Sequence, residues 1–148
     1  MPECSAKDDS WLALRGAFYH LWQVTHQFKK GLASNDKVEL FHWHLRSFFW
    51  EMVAVRDSLK RAARTDRRIE EALHNLDDQQ WFQEVSAYRN FAHESFHVVE
   101  AAVSARTGRA VVFQLQCAIQ SQTYMADGLA LLRDYWKKME RFLKALFP

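Results

Sequence analysis

The residues from Val38 to Ala62 constrain the fold most, because large apolar side chains recur there every three or four positions. Asp36 and Glu39 stand at the start of this run with the spacing of an N-terminal capping box. The periodic positions are Val38, Phe41, Leu45, Phe48, Met52, Val55, Leu59 and Ala62. Such spacing gathers the set on one side of an α-helix, whereas a strand would alternate it between two faces. The sequence therefore predicts a long central helix with one buried face.

A helix is also predicted on the N-terminal side of the central one. It ends at Lys29, Lys30 and Gly31, since cations in the last turn and a following glycine are typical of helix C-termini. Its periodic positions are Trp11, Leu14, Phe18, Leu21, Thr25 and Phe28. Residues 1–9 have no such periodicity and are predicted to form a loose tail. Residues 10–148 then form a single domain.

Three stretches after the central helix have helical spacing as well. A short helix opens at residues 65–66 and buries Ile69 and Leu73, and the next helix is capped by Asp77 and Asp78. The apolar positions of that next helix are Trp81, Val85, Tyr88 and Ala92. Those of the last helix are Met125, Leu129, Leu132, Trp136, Met139, Leu143 and Leu146. Five helices in all are therefore expected.

The period changes from helical to alternating between residues 97 and 119. Val111, Phe113 and Leu115 alternate with Val112 and other neighbours, as in a strand, and residues 106–109 supply a turn. We interpret 97–105 and 109–119 as the two strands of a β-hairpin. The alternative is that the preceding helix continues through residue 103.

These elements predict a mainly α fold. The architecture is an up-and-down helical bundle of about four long helices and one short helix, with a β-hairpin before the last helix. The composition agrees, because four glycines and two prolines leave little material for a loop-rich or all-β fold. A chain of 148 residues that is 49% hydrophobic can bury a core without disulfides or a structural metal.

The cysteines and the N-terminus bear on the compartment. Cys4 and Cys117 lie far apart and do not have the spacing of a metal site, which favours reduced thiols and a cytoplasmic protein. Residues 1–4 lack the basic and then apolar order of a signal peptide. No apolar run is long enough to span a bilayer, so we expect no membrane association. The net charge of +2 neither requires nor excludes a nucleic-acid partner.

One segment matches the zinc-peptidase motif H-E-x-x-H, with His93 and His97 as metal ligands and Glu94 as the base that activates water. No histidine follows His97 to supply a third imidazole, and the predicted hairpin would take His97 off the helix. A carboxylate-bridged di-metal site is also incomplete, because the first helix carries no acidic residue between Trp11 and Lys30. Its Glu-x-x-His pairs would be Glu39 with His42, Glu71 with His74 and Glu94 with His97. We therefore expect neither a metal nor a cofactor.

Arg89, Asn90 and His93 are the candidate catalytic residues. On a helix, Arg89 and His93 lie one turn apart at the rim of the apolar stripe, with Asn90 on the same flank. An arginine can hold a phosphate through its planar fork, and a histidine can transfer a proton near neutral pH. The alternative is that these side chains only hydrogen-bond to the bundle. Asp57, which neighbours the buried stripe of the central helix, needs a cationic partner, and Arg89 or His93 could be that partner.

The segment from Tyr88 to Glu94, Tyr-Arg-Asn-Phe-Ala-His-Glu, resembles the signature of a HEPN domain (higher eukaryotes and prokaryotes nucleotide-binding domain). HEPN domains are small helical bundles, and many are RNase toxins or phage-defence components. Their motif is an arginine, usually followed by Asn, Asp or His, and then a histidine. Arg89, Asn90 and His93 correspond to these positions, although the three intervening residues are one fewer than the family's usual minimum.

The resemblance implies two functions. The first is a metal-independent RNase of toxin or phage-defence type whose active groove forms between two copies of the chain in a homodimer. Arg89 would bind the RNA phosphate, His93 would act as general acid or base, and Asn90 would orient them. The second is a catalytically silent helical module that binds a protein partner, such as an antitoxin or a defence subunit. Burial of Arg89 and His93 among intrachain partners would favour the silent module.

Overall fold

A computed structural model describes residues 2–30, 35–90 and 128–148 of the chain. Within those ranges the chain forms five helices and no strand, which confirms the predicted helical bundle. The helices are α1 (Pro2–Lys30), α2 (Asn35–Ala63), α3 (Arg67–Asp77), α4 (Gln80–Asn90) and α5 (Gly128–Leu146). The predicted hairpin at 97–119 lies outside the described residues. In the part of the chain that is described, no helix combines the length and apolar character needed to cross a membrane.

Helix α2 is central to the bundle, as predicted. It packs along α1 on one side and against α3 and α4 on the other, while α5 packs on α1 and α4. Gly16 lies against Glu51, and His20 lies against His44, so residue numbers rise along α1 as they fall along α2. The two longest helices are therefore antiparallel.

The buried face of α2 is the one that its sequence predicts. The side chains of Phe41, Leu45, Phe48, Met52, Val55 and Leu59 are all exposed by 1% or less. The face is wider than predicted, because Phe49 and Val53 are also buried. The ring centroids of Phe49 and Tyr88 are 5.0 Å apart, which shows that α4 covers this additional side of α2.

The buried face of α1 is rotated from the predicted one. Phe18, which the periodicity places in the core, is 51% exposed, whereas Ala17 and Val24 are fully buried. The small side chain of Ala17 takes the buried position at this level of the bundle, next to Gly16, which lies against Glu51 of α2. Phe18 instead lies against Trp136 of α5, with ring centroids 5.2 Å apart.

Helix α1 extends through the segment that the sequence assigns to a loose tail. It begins at Pro2, and Ala6 packs against the core of the bundle. The hydroxyl of the buried Ser10 donates to the carbonyl of Lys7 at 2.7 Å, and the Lys7 ammonium lies 6.0 Å from the ring centroid of Phe147. The contact of Lys7 with Phe147 crosses the bundle, and the hydrogen bond of Ser10 to Lys7 lies within one helical turn. Apolar periodicity detects neither kind of contact.

Helix α3 begins and buries its apolar residues as predicted. The carboxylate of Asp66 accepts hydrogen bonds from the backbone N–H groups of Arg68 and Ile69 at 2.9 and 3.4 Å, and Ile69 and Leu73 are buried. Asp77 does not fulfil its predicted role as a cap for the next helix. It is the last residue of α3, and its carboxylate binds Arg56 of α2 instead.

The seam between α1 and α2 contains a carboxyl group with no charged partner among the described residues. The Glu51 side chain lies over Gly16, where an added Cβ atom would stand 3.0 Å from the Glu51 Cδ atom. Burial raises the pKa of Glu51, because the charged form loses contact with water. The ionised carboxylate is therefore less favourable in the folded protein than in the unfolded chain.

Replacing Glu51 with glutamine is expected to stabilise the fold at pH 7.5 by up to about 1 kcal/mol, because the amide removes a buried charge and keeps the shape. A carboxyl group whose pKa is raised by folding stabilises the folded state at low pH, and this stabilisation is lost as the pH rises. The difference in free energy of unfolding between the variant and wild type should therefore disappear near pH 4. Urea denaturation at both values measures it. A Glu51→Gln variant that is less stable than wild type at pH 7.5 would contradict the argument.

Candidate functional site

The two candidate catalytic residues that the structure describes lie beside a groove. Arg89 and Asn90 stand in the last turn of α4, and the groove, of about 440 Å³, runs between α4, the end of α3 and the second half of α2. Its charged lining consists of Arg56, Asp57, Lys60, Asp77 and Arg89. We call it the Arg89 groove. His93, Glu94 and His97 lie outside the described residues.

The strongest ion pair of the Arg89 groove joins α2 to the end of α3. The Arg56 guanidinium donates to both carboxylate oxygens of Asp77, from Nε at 2.6 Å and from Nη2 at 2.7 Å. These hydrogen bonds lower the pKa of Asp77 and raise that of Arg56. A two-pronged contact of this kind fixes the orientation of both side chains. Arg56 is therefore occupied with a structural contact.

Asp57 is the carboxylate shared by the other cations of the groove. Its Oδ1 atom lies 2.9 Å from the Lys60 ammonium and 3.6 Å from Nη1 of Arg56, and its Oδ2 atom lies 3.7 Å from Nη1 of Arg89. Of the two partners predicted for Asp57, Arg89 is thus in contact, and His93 lies beyond the described range. The carboxylate neutralises charge where a phosphate would have to bind.

Arg89 has two further contacts within the chain. Its Nε atom donates to the Asn90 side-chain oxygen at 3.2 Å, and its guanidinium lies 5.5 Å from the ring centroid of Trp50. The side chain retains 28% of its exposure. Arg89 is therefore packed between an aromatic ring, an amide and a carboxylate, and a phosphate would have to compete with Asp57 for it.

The described part of the chain bears only on the di-metal hypothesis, because the zinc-motif residues His93, Glu94 and His97 lie outside it. No group of three or more histidine, cysteine, aspartate or glutamate side chains within it could hold a metal ion. The pairs Glu39 with His42 and Glu71 with His74 therefore do not come together in one site there.

Sequence reasoning missed a histidine pair in the α1–α2 seam. The Nδ1 atoms of His20 and His44 are 2.9 Å apart, and His44 is only 4% exposed. Burial lowers the pKa of both imidazoles, and the charge of His44 lowers that of His20 further. One Nδ1 atom must donate and the other accept, so the two imidazoles cannot both be charged and keep this hydrogen bond. Only the position of both residues beside the buried stripes could have indicated it.

Large apolar side chains are exposed along α1 and α2. Among the described residues, the exposed large apolar side chains are Leu12, Phe18, Tyr19, Trp22, Leu40, Trp43 and Trp50. Leu12 and Tyr19 are seven residues apart and share one side of α1, as Trp43 and Trp50 do on α2. The rings of His20 and Trp43 are 5.5 Å apart, and those of Tyr19 and His44 are 6.0 Å apart, so the two rows adjoin. We call these four residues, Leu12, Tyr19, Trp43 and Trp50, the aromatic face.

Comparison of the chain with protein-family models, with curated proteins and with solved structures finds no match. The residues of the Arg89 groove and of the aromatic face are therefore the evidence for function.

Proposed function

We propose that this chain is a HEPN-like helical module that is catalytically silent and binds a protein partner of the antitoxin or defence-subunit kind. The observation that carries the proposal is the aromatic face. Its four residues are between 50% and 65% exposed to solvent, which is unusual for such large apolar side chains on adjoining helices. Tryptophan and tyrosine are the residues that contribute most to the buried centres of protein interfaces.

The aromatic face is suited to a partner because it is preformed. Tyr19 and Trp43 stand on the two longest helices of the bundle, which pack along each other. Behind them, the hydrogen bond between His20 and His44 ties the helices together. A partner that covers a rigid surface of this kind avoids the entropic cost of ordering it.

The contacts of Arg89 support the hypothesis that the module is catalytically silent. A catalytic arginine must meet phosphate with its fork free, whereas this one contacts Asp57, Asn90 and Trp50 within the chain. Two carboxylates, Asp57 and Asp77, also stand in the Arg89 groove and neutralise most of the charge of its three cations, which weakens the attraction of the groove for an RNA backbone.

Site-specific photo-cross-linking in the native cells tests this proposal. A photoreactive phenylalanine analogue at position 43 should give one discrete heterologous adduct. The matched control places the analogue at Arg67, an exposed position on α3 that is remote from the aromatic face, and should give none. An added Trp50→Asp substitution should remove the adduct formed at position 43, because a charge in the centre of an interface costs binding energy.

Three outcomes would contradict the proposal. They are the absence of any adduct at position 43, an adduct that persists in the Trp50→Asp variant, and an adduct that forms equally from position 67. An adduct between two copies of the chain would assign the aromatic face to a homodimer instead.

A metal-independent RNase is the second candidate, and two observations favour it. Arg89 and Asn90 are hydrogen-bonded side by side at the Arg89 groove, as the HEPN-like motif would require. The contact of Arg89 with Asp57, at 3.7 Å, is also longer than that of Lys60 with Asp57, at 2.9 Å. An RNA phosphate in a groove shared by two copies would then take the place of Asp57.

If the chain is a nuclease, RNA cleavage should persist in chelator and follow a histidine-like pH transition, because His93 transfers the proton. His93→Ala should abolish cleavage, and Arg89→Lys should reduce it at least about 100-fold, since lysine loses the two-pronged phosphate contact. A gel assay of labelled RNA measures cleavage by wild type and by each variant, and the solution mass shows whether the chain forms the dimer. Cleavage that survives in His93→Ala, or none in wild type, would exclude this candidate.

A further inference from the structure

A second groove, of about 240 Å³, lies between α1 and α5. Phe18 and Trp22 of α1 and Trp136 of α5 form its walls, and Arg133 and Lys137 of α5 stand at its rim. We call it the α1–α5 groove. None of these residues belongs to the aromatic face or to the Arg89 groove, so a ligand of this groove is independent of the proposed function.

The two cations at the rim lack a counter-charge within the described part of the chain. Arg133 and Lys137 are both exposed, and neither forms an ion pair with a carboxylate of the described residues. They stand one helical turn apart, a spacing at which like charges repel each other. Two other cations of the same helix are paired: the ammonium of Lys138 lies 2.8 Å from Asp134, and that of Lys144 lies 3.6 Å from Glu140. Arg141 also has no ion pair with a described carboxylate, but it lines a different groove. Arg133 and Lys137 are thus the two cations of α5 without such a pair that stand at this edge.

The other polar groups of the groove are already used. The Trp136 indole N–H donates to the Leu14 carbonyl at 3.0 Å, and the Thr25 hydroxyl donates to the Leu21 carbonyl at 2.8 Å. The first of these bonds also fixes the Trp136 ring. A ligand would therefore meet preformed aromatic walls and, as its principal polar contacts, two cations.

We propose that the α1–α5 groove binds a small organic anion in which a carboxylate is joined to an aromatic or aliphatic body. The body packs between Trp22, Phe18 and Trp136, all of which are partly exposed without a ligand. The carboxylate accepts hydrogen bonds from Arg133 and Lys137 and removes the repulsion between them. The volume suits a ligand of roughly a dozen non-hydrogen atoms, below the usual range for drug-sized pockets.

Three probes of nearly equal shape test the chemistry. 4-Phenylbutyrate, 4-phenylbutanol and 4-phenylbutylamine share one body and differ only in the head group. Titration at low ionic strength, followed by the indole N–H resonances of Trp22 and Trp136, gives each dissociation constant. We expect a value on the order of 0.1–1 mM for the acid, at least about fivefold weaker binding of the alcohol, and still weaker binding of the amine.

Substitutions then separate the two parts of the groove. Arg133→Gln combined with Lys137→Gln should bring the affinity of the acid down to that of the alcohol and leave the alcohol unchanged. Arg141→Gln is the matched control, because it removes an exposed cation of the same helix that lines a different groove, beside α3. It should leave both affinities unchanged. Trp22→Ala should weaken the acid and the alcohol alike, since both use the apolar wall.

Thermal melts of each variant establish that the bundle is folded before affinities are compared. The proposal is overturned if the acid binds no more tightly than the alcohol in wild type. It is also overturned if the double variant keeps the preference for the acid, or if Arg141→Gln removes that preference. Acid-selective binding that is lost in the double variant alone would establish the site, whatever the cross-linking experiment at position 43 shows.

Discussion

Replacing Met52 with alanine is expected to lower the free energy of unfolding by about 2–4 kcal/mol. Met52 is fully buried at the centre of α2, so truncation loses the transfer free energy of the removed atoms and leaves a cavity that the bundle fills only partly. Urea denaturation followed by circular dichroism measures the loss. The matched control is Leu12→Ala, since Leu12 is 65% exposed and its truncation should cost less than about 0.5 kcal/mol.

A loss below about half a kcal/mol for Met52→Ala would mean that the buried face of α2 has been assigned to the wrong side of the helix. A loss at Leu12 as large as that at Met52 would mean that the exposed face of α1 is covered within the protein. The second outcome would also remove the aromatic face as a binding surface.

Acidification from pH 7.5 to 5 is expected to destabilise the fold through the histidine pair. The pKa values of His20 and His44 are lowered in the folded protein, so the unfolded chain, whose imidazoles have the ordinary value of 6.5, binds protons first. The stability that the neutral imidazoles contribute is therefore complete above pH 6.5. It is lost as the pH falls from 6.5 towards the lowered pKa values.

Other groups near the seam modify this response. The pKa of His42 is also lowered, by burial and by the charge of Arg46, so His42 adds to the loss. Glu51, with its raised pKa, takes up a proton more readily when folded and so opposes the loss. The effect of pH should therefore be larger in the Glu51→Gln variant than in wild type.

Urea denaturation at half-unit pH intervals measures the dependence, and NMR titration of the imidazole resonances assigns it. The slope should fall sharply when His20 and His44 are both replaced by glutamine. It should be unchanged in His74→Gln, which removes an exposed histidine on α3. If the double variant keeps the full slope, or if both imidazoles titrate near 6.5 in the folded protein, the pair does not control the acid response.

The order of residues along the chain predicted those parts of the fold that are set by the residues of a single helix. The buried face of α2 followed from its period, because Phe41, Phe48 and Met52 can share a side only in a helix. The start of α3 followed from Asp66, since a short carboxylate before a helix binds its free N–H groups. Position also indicated Arg89 or His93 as a partner of Asp57, and Arg89 is in contact with it.

The arrangement of several helices was decided by packing. Phe18 fits the apolar period of α1, but Ala17 takes the buried position and Phe18 lies against Trp136 of α5. Asp77 has the chemistry of a helix cap, yet a bidentate contact with Arg56 determines its position. In both cases a contact between distant residues is stronger than the local preference.

The sequence by itself thus determined the helical class and the central helix, since both depend on the order of apolar residues along the chain. The resemblance of the segment from Tyr88 to Glu94 to a HEPN signature also comes from the sequence alone, and the histidine of that segment, His93, lies outside the described residues. Only the tertiary structure brought together His20 with His44, Arg89 with Asp57 and Trp50, and Arg133 and Lys137 with the aromatic walls of α1. The physical reason is that these groups act through space across two or more helices, and spacing along one helix does not specify which face of another will meet it.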